Sequence, residues 1–125
     1  MAEIKTYFFD SYAFYEILSG NENYIPYTKD IAIVTTKMNL MELHYGLFAA
    51  NGKEFADKIY DEYAKFAVEI DDEIIKKASE LRYFLKDRKV SYVDCIGYII
   101  ARVRKIPFLT GDKQFKDLDN VEFVK

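Results

Sequence analysis

The sequence predicts an α/β fold, a three-layer α/β/α sandwich with a central, mainly parallel sheet. Two observations predict it: short apolar runs alternate with stretches of helical spacing, and strands alternating with helices close into a parallel sheet covered on both faces. A third is bulk. At 125 residues, half of them hydrophobic, the chain is one ordinary domain, residues 1–125, able to bury a core without disulfides or a structural zinc. No repeat, low-complexity tract or linker interrupts it.

Ile4-Lys5-Thr6-Tyr7-Phe8-Phe9 reads as a first strand that delivers Asp10 at its carboxyl end. Tyr12, Phe14, Tyr15, Ile17 and Leu18 then keep helical spacing until Gly20-Asn21 stops it, which puts Asp10 or Ser11 at a strand-to-helix junction. Residues 20–30 read as loop. Ile31 to Thr36 is the clearest buried strand, followed by a helix from about Asn39 to Ala50, ended by Asn51-Gly52. A further helix is expected from Lys53 to about Phe66, then a short strand or extended piece over Ala67 to Ile70. Asp71-Asp72-Glu73 suits the N-terminus of the next helix, since the dipole favours negative charge there; Ile74, Ile75, Ala78, Leu81 and Leu85 carry it to about Arg88. Tyr92 to Arg104 forms the next helix with Ser91 as N-cap; Ile106 to Thr110 and Val121 to Val124 close the sheet.

Composition excludes several classes. The single cysteine, Cys95, and single histidine, His44, cannot build a thiolate or imidazole metal cage, so any resident cation is held by oxygen. No basic-plus-apolar leader and no uncharged apolar run of roughly 20 residues appears, so a soluble, cytoplasmic protein with no membrane partner is expected. A net charge of -3 argues against gripping nucleic acid through bulk positive potential. The charge is uneven, however. Residues 82–113 carry eight Lys or Arg against three Asp, which leaves the remainder strongly acidic.

Four acids stand where charge is least easily carried. Asp10 and Asp112 close apolar strands, Glu42 lies within two turns of the start of a helix, and Asp94 is the only charge from Val90 to Ala101. A carboxylate buried alone costs several kcal/mol, on the order of what a neighbouring cation returns. Ligands of open α/β sheets bind outside the carboxyl ends of the strands, where Asp10 and Asp112 both fall, and Glu42 and Asp94 can converge on the same pocket. Oxygen donors around an open cavity suit Mg2+ or Mn2+, whose bound water is a nucleophile for phosphodiester hydrolysis.

Phe9-Asp10-Ser11-Tyr12-Ala13-Phe14, Asn39-Leu40-Met41-Glu42-Leu43, Ser91-Tyr92-Val93-Asp94-Cys95-Ile96 and Leu109-Thr110-Gly111-Asp112-Lys113-Gln114-Phe115 together resemble the PIN-domain ribonucleases, most of all the VapC-type toxins of toxin-antitoxin pairs. The resemblance implies a flavodoxin-like α/β/α fold, a metal-dependent endoribonuclease acting on RNA, a homodimer, and a cognate antitoxin. Carried over by position, the metal-binding and catalytic acids are Asp10, Glu42, Asp94 and Asp112, with Ser11 and Thr110 as supporting hydroxyls. Tyr12 is bulkier than the small residue usual there, and Gln114 stands where a further acid is frequent.

Arg102, Arg104, Lys105 and Lys113 are candidates for phosphate contacts with RNA. Tyr12, Tyr15 and Tyr45 are candidate groove or dimer residues. His44 points away from Glu42 on a helix and reads as structural, Cys95 as an inert buried thiol, and Gly97 as a mark of close helix packing. Asp94 has an alternative as a salt-bridge partner of Arg102 or Arg104. Rival functions are a non-catalytic RNA- or partner-binding scaffold of the same fold and a receiver-like phosphotransfer domain; the latter wants an acidic pair after the first strand, which Asp10-Ser11 lacks.

Overall fold

Strand β1 (Lys5–Phe9) is the axis of the protein. Its side chains alternate between faces, with Tyr7 and Phe9 buried in one hydrophobic cluster and Phe8 in the other. The structure, a computed structural model, describes residues 4–125. β1 pairs in parallel with β2 (Ile31–Val34) on one side and β3 (Phe108–Thr110) on the other, with β4 (Val121–Phe123) beyond β3. The order is β2-β1-β3-β4 and every pairing is parallel, as the alternation of strands and helices predicts.

Helices α1 (Ser11–Leu18), α2 (Lys37–Asn51) and α3 (Lys53–Tyr63) cover the face of Tyr7, Phe9 and Leu109, where Phe14, Leu40, Leu43 and Ile59 fill the core. Helices α4 (Asp72–Phe84) and α5 (Tyr92–Arg104) cover the opposite face, with Ala78, Ile100, Phe108 and Phe115 around Phe8. This is the three-layer α/β/α sandwich. The chain crosses from one face to the other on either side of β1, so the crevice at the carboxyl ends of β1 and β3 is the topological switch point.

The departures from the sequence reading have local causes. Residues 20–30 contain a 3-10 segment, Glu22–Tyr27, because Tyr24 is fully buried and its hydroxyl donates to the Val124 carbonyl at 2.7 Å. β2 is an edge strand and only half-buried, although its composition reads as interior. The predicted helix over 53–66 tightens to 3-10 geometry at Ala64–Phe66, and 67–70 contributes a single bridge, Thr35 to Ala67, in place of a strand. α4 stops at Phe84, four residues before Arg88, whose guanidinium reaches across to the Gln114 carbonyl and Asp117. Among the described residues, no helix is long and apolar enough to cross a membrane.

Gly97 shows how closely α5 lies on the sheet. A Cβ there would sit 2.6 Å from a ring carbon of Phe8 and 3.2 Å from one of Phe108, and those two rings are themselves stacked at 5.7 Å. Gly97→Ala must therefore push α5 off β1 despite the better helix propensity of alanine. The expected result is a loss of about 1–3 kcal/mol, read as a lower melting temperature, the overpacking cost outweighing the roughly 1 kcal/mol gained in helix propensity.

Candidate metal centre at the carboxyl edge of the sheet

Asp10 leaves β1 at its carboxyl end and caps α1, its Oδ1 accepting the Ala13 N–H at 2.8 Å. It is buried, 3% exposed. Burial pushes its carboxyl group up to about 7; the Thr110 hydroxyl and the Ala13 N–H work against that, while the charges of Asp94 and Asp112 add to it. Asp112 follows β3, as predicted. Its N–H donates to Thr110 Oγ1 at 3.0 Å and its Oδ1 caps the short 3-10 turn Lys113–Phe115 by accepting from Gln114 N at 2.9 Å.

Asp94 belongs to a capping box. The Ser91 hydroxyl accepts the Asp94 N–H at 3.0 Å, and Asp94 Oδ2 accepts the Ser91 N–H at 2.9 Å. Burial raises its carboxyl group above the usual range, the bonds with Ser91 oppose this, and the charge of Asp112 adds to it. It makes no ion pair with Arg102 or Arg104; Arg102 binds Asp119 instead at 2.6 Å. Glu42 lies in the second turn of α2, its Oε1 accepting from Ser11 Oγ at 2.7 Å. Burial raises its carboxyl group too, offset by the Ser11 bond and increased by Asp94.

The four acids thus come from the ends of β1 and β3, the second turn of α2 and the first turn of α5, and they act on one another electrostatically. They do not close into a cage. Among the described residues, no three His, Cys, Asp or Glu side chains gather tightly enough to hold a metal ion as they stand. Local bonds explain this: in Asp10, Glu42, Asp94 and Asp112 one oxygen is occupied by a nearby donor, and like charges keep the carboxylates apart. The second oxygen of Glu42, Asp94 and Asp112 takes no protein donor among the described residues, so it is available to a further ligand. An all-oxygen donor set, desolvated and mutually repelling, fits a hard divalent cation such as Mg2+ or Mn2+.

Ser11 and Glu42 also line an open cavity of about 520 Å3 with Tyr15, Met41 and Tyr45. Three residues hold the site in roles the sequence reading does not give them. Asn39 Nδ2 donates to Ser11 Oγ at 3.4 Å, the Tyr15 hydroxyl donates to the Glu42 carbonyl at 3.1 Å, and Arg88 holds the Gln114 carbonyl at 2.8 Å beside the Asp112 cap. Asn39 was findable, one helical turn before Glu42 on the same face; Arg88 was not, since its partners lie 26 and 29 residues away.

The basic candidates separate. Lys113 adjoins Asp112, but Arg104 and Lys105 stand at the far end of α5, roughly 15 Å along the axis from Asp94. Arg102 is engaged by Asp119. His44 Nε2 meets Asp57 at 2.7 Å between the rings of Phe48 and Tyr60, so it ties α2 to α3. Cys95 is buried, and burial pushes its thiol up to about 11.

The PIN domain family profile matches residues 7–121, and the chain belongs to that family. Among solved structures, VapC20 of Mycobacterium tuberculosis, described as a sarcin-ricin loop cleaving toxin, superposes with a TM-score of 0.74 at 18% identity, covering 95% of this chain and 99% of its own. A toxin-antitoxin complex from Klebsiella pneumoniae gives 0.74 at 17% identity, covering 92% and 94%. VapBC-5 of M. tuberculosis, a VapBC toxin-antitoxin system, gives 0.66 at 26% identity, covering 96% and 98%. Among curated proteins the sequence finds no match.

Raised carboxyl groups have a pH signature of fixed sign. Because folded Asp10 holds its proton up to about 7 from an ordinary 3.8, the folded state binds more protons across that window, and stability falls as pH rises through it. Glu42 and Asp94 act in the same direction. Asp57 and Asp117, lowered by Lys53 and Arg88 respectively, act oppositely, but their contribution changes only at pH values below the ordinary carboxylate range. With EDTA present, the melting temperature should therefore be higher at pH 5 than at pH 7.5, and Asp10→Asn should flatten the difference. A thermal melt series checks both.

Proposed function

We propose that the protein is a Mg2+- or Mn2+-dependent endoribonuclease that hydrolyses RNA phosphodiester bonds as the toxin of a toxin-antitoxin pair. The observation that carries this reading is Asp10: a carboxylate buried at the end of the central strand, with Asp94 and Asp112 acting on it, is stable in charged form only beside a cation. Membership in the PIN family and likeness to VapC and VapBC structures support the same conclusion.

Asp10, Glu42, Asp94 and Asp112 would hold the ion. When bound, such an ion acidifies water and offsets charge growing on a phosphoryl group. The chain's own groups prepare the site. The Ala13 N–H fixes one oxygen of Asp10, and the Thr110 hydroxyl favours its ionised form. Ser11, held by Asn39 Nδ2 and donating to Glu42, sets the direction of that carboxylate. The Ser91 box does the same for Asp94, and the Gln114 N–H for Asp112. Each carboxylate thus loses rotational freedom before a ligand arrives, which reduces the ordering cost of binding.

The reading includes two protein partners, a cognate antitoxin and a second copy of the chain. Met38, Met41, Tyr45 and Phe48 form an exposed apolar row along α2 that starts beside Glu42, a surface the antitoxin would cover and in doing so block the acid edge. The protein is expected to be cytoplasmic, where both RNA and a co-encoded inhibitor are found.

Cleavage of a mixed RNA pool tests the reaction. Wild type should cut in Mn2+ and stop on chelation, and Asp94→Asn should lose activity by about 10²-fold or more, the size of effect that follows disturbance of a metal site. Equal cleavage by the two proteins would overturn the mechanism. In parallel, Mn2+ should raise the melting temperature of wild type and shift Asp10→Asn far less, because a ligand stabilises only the state that binds it.

A further inference from the structure

Resting on the reading above, we infer that the last turn of α4 and the loop leading into α5 form a single-stranded RNA contact surface, with Tyr92 as a base-stacking platform and Arg82 and Lys86 as phosphate contacts. Arg82 Cζ lies 5.4 Å from the centre of the Tyr92 ring, and Lys86 Nζ lies 4.7 Å from the centre of the Tyr83 ring. Both rings face solvent: Tyr92 is 67% exposed and Tyr83 65%. Large aromatic side chains displayed beside cations are the elements that bind unpaired nucleic acid, since every base offers a π-face and every linkage a negative charge.

The charges here are uncommitted. Arg88 pairs with Asp117 and Arg102 with Asp119, whereas Arg82 and Lys86 take part in no ion pair among the described residues. Arg82 Nε is moreover a buried donor without a hydrogen-bond partner. A guanidinium seated between a buried edge and an exposed ring, with no acid to neutralise it, is held ready for an external anion. The helix C-terminus favours such cations, but that accounts for their sign and not for the two solvent-facing rings that lie beside them. Between residues 82 and 92, Asp87 is the only acid.

Position joins the surface to the acid edge. Tyr92 is the first residue of α5 and Asp94 the third, so the aromatic surface and the acid belong to the same first helical turn, Tyr92 on the α4 side and Asp94 on the side of the sheet edge. The surface also supplies attraction that the acid edge lacks. Four carboxylates repel a polyanion; Arg82, Lys86 and the neighbouring Lys89 draw it in from the side.

The exposed positions carry the test, since Arg82 has a buried atom and its replacement could disturb α4. Tyr92→Ala and Lys86→Ala should each raise KM for a labelled single-stranded RNA, Tyr92→Ala by about tenfold, with the loss read in KM and not in kcat. Tyr92→Phe, which keeps the ring, should restore wild-type KM, and the melting temperature shift with Mn2+ should be the same in all variants. The dependence of log affinity on log salt should be shallower by about 0.7 for Lys86→Ala. Unchanged KM in both alanine variants would overturn the inference while leaving the nuclease reading intact. So would Tyr92→Ala reducing self-association by light scattering with RNA affinity unaltered, which would make this a protein contact. If wild type cuts no RNA, the nuclease reading falls, and fluorescence anisotropy with the same RNA decides the surface alone: equal binding by wild type and Tyr92→Ala sinks it.

Discussion

The carboxylate of Asp10 is the constraint around which the rest is arranged. β1 is central and buried on both faces, so the residue at its carboxyl end is carried into the interior whether or not it is charged. A Ser or Asn at this position would cap α1 equally well without a desolvation cost of several kcal/mol. The sequence keeps Asp, and surrounds it with Asp94 and Asp112, which raise the cost further. Such an arrangement is sustainable where the charge is met by an opposite one or a proton. Protonation near neutrality relieves the edge, and the cation of the proposed function would compete with it for the same oxygens.

A second regularity is that the acids at the strand ends and at the start of α5 are also caps. Asp10 begins α1, Asp94 closes a box at the start of α5, and Asp112 starts the Lys113–Phe115 turn. In Asp94 and Asp112 one oxygen does structural duty and the other takes no protein donor among the described residues, while Asp10 is bonded by both the Ala13 N–H and the Thr110 hydroxyl. The same local bonds that begin these elements therefore also orient the carboxylates. This predicts an asymmetry between substitutions. Asparagine retains one acceptor oxygen and hence the cap, so it removes charge with little structural loss, whereas alanine removes both together. Glu42 differs: it is oriented by Ser11 from another helix, and its placement depends on the packing of α1 against α2, where the Tyr15 hydroxyl bonds the Glu42 and Leu43 carbonyls.

The alternation of apolar runs and helical patterns was enough to read the parallel sheet, because a two-residue period and a 3.6-residue period leave distinct marks in the chain. Asp10, Asp112 and the Ser91 cap were legible for the same local reason: each is defined by residues within three positions of it. What was not legible depends on distant partners. The edge position of β2 cannot be told from Ile31-Ala32-Ile33-Val34, whose composition equally suits an interior strand. The early end of α4 follows from Arg88 reaching Gln114 and Asp117, and the ordered turn at Glu22–Tyr27 follows from Tyr24 reaching Val124. The basic residues divide similarly. Arg102 was chosen by sign, but its engagement with Asp119 is a three-dimensional fact, and Arg82, passed over as part of a helix, emerges as an unpaired cation.

Charge separation within so small a chain then has a physical rationale. An edge made of four carboxylates is a poor receptor for a polyanion in the absence of a cation, and a uniformly basic surface would draw nucleic acid regardless of the state of that edge. With a net charge of -3 the protein holds polyanions weakly at long range, since the Debye length at physiological salt is about 8 Å. Attraction must then come from cations standing close to the acids, yet not neutralised by them. The N-terminal turn of α5 sets both distances: Asp94 faces the sheet edge, while Tyr92, two residues earlier, turns toward α4 and its unpaired guanidinium. Under the proposed function, a divalent cation bound at the edge would offset two of its four formal negative charges, so that attraction by the α4 surface would meet less repulsion from the carboxylate edge. In the proposed nuclease, substrate capture and competence for hydrolysis would in this way be tied to one event, occupancy of the buried oxygens around Asp10.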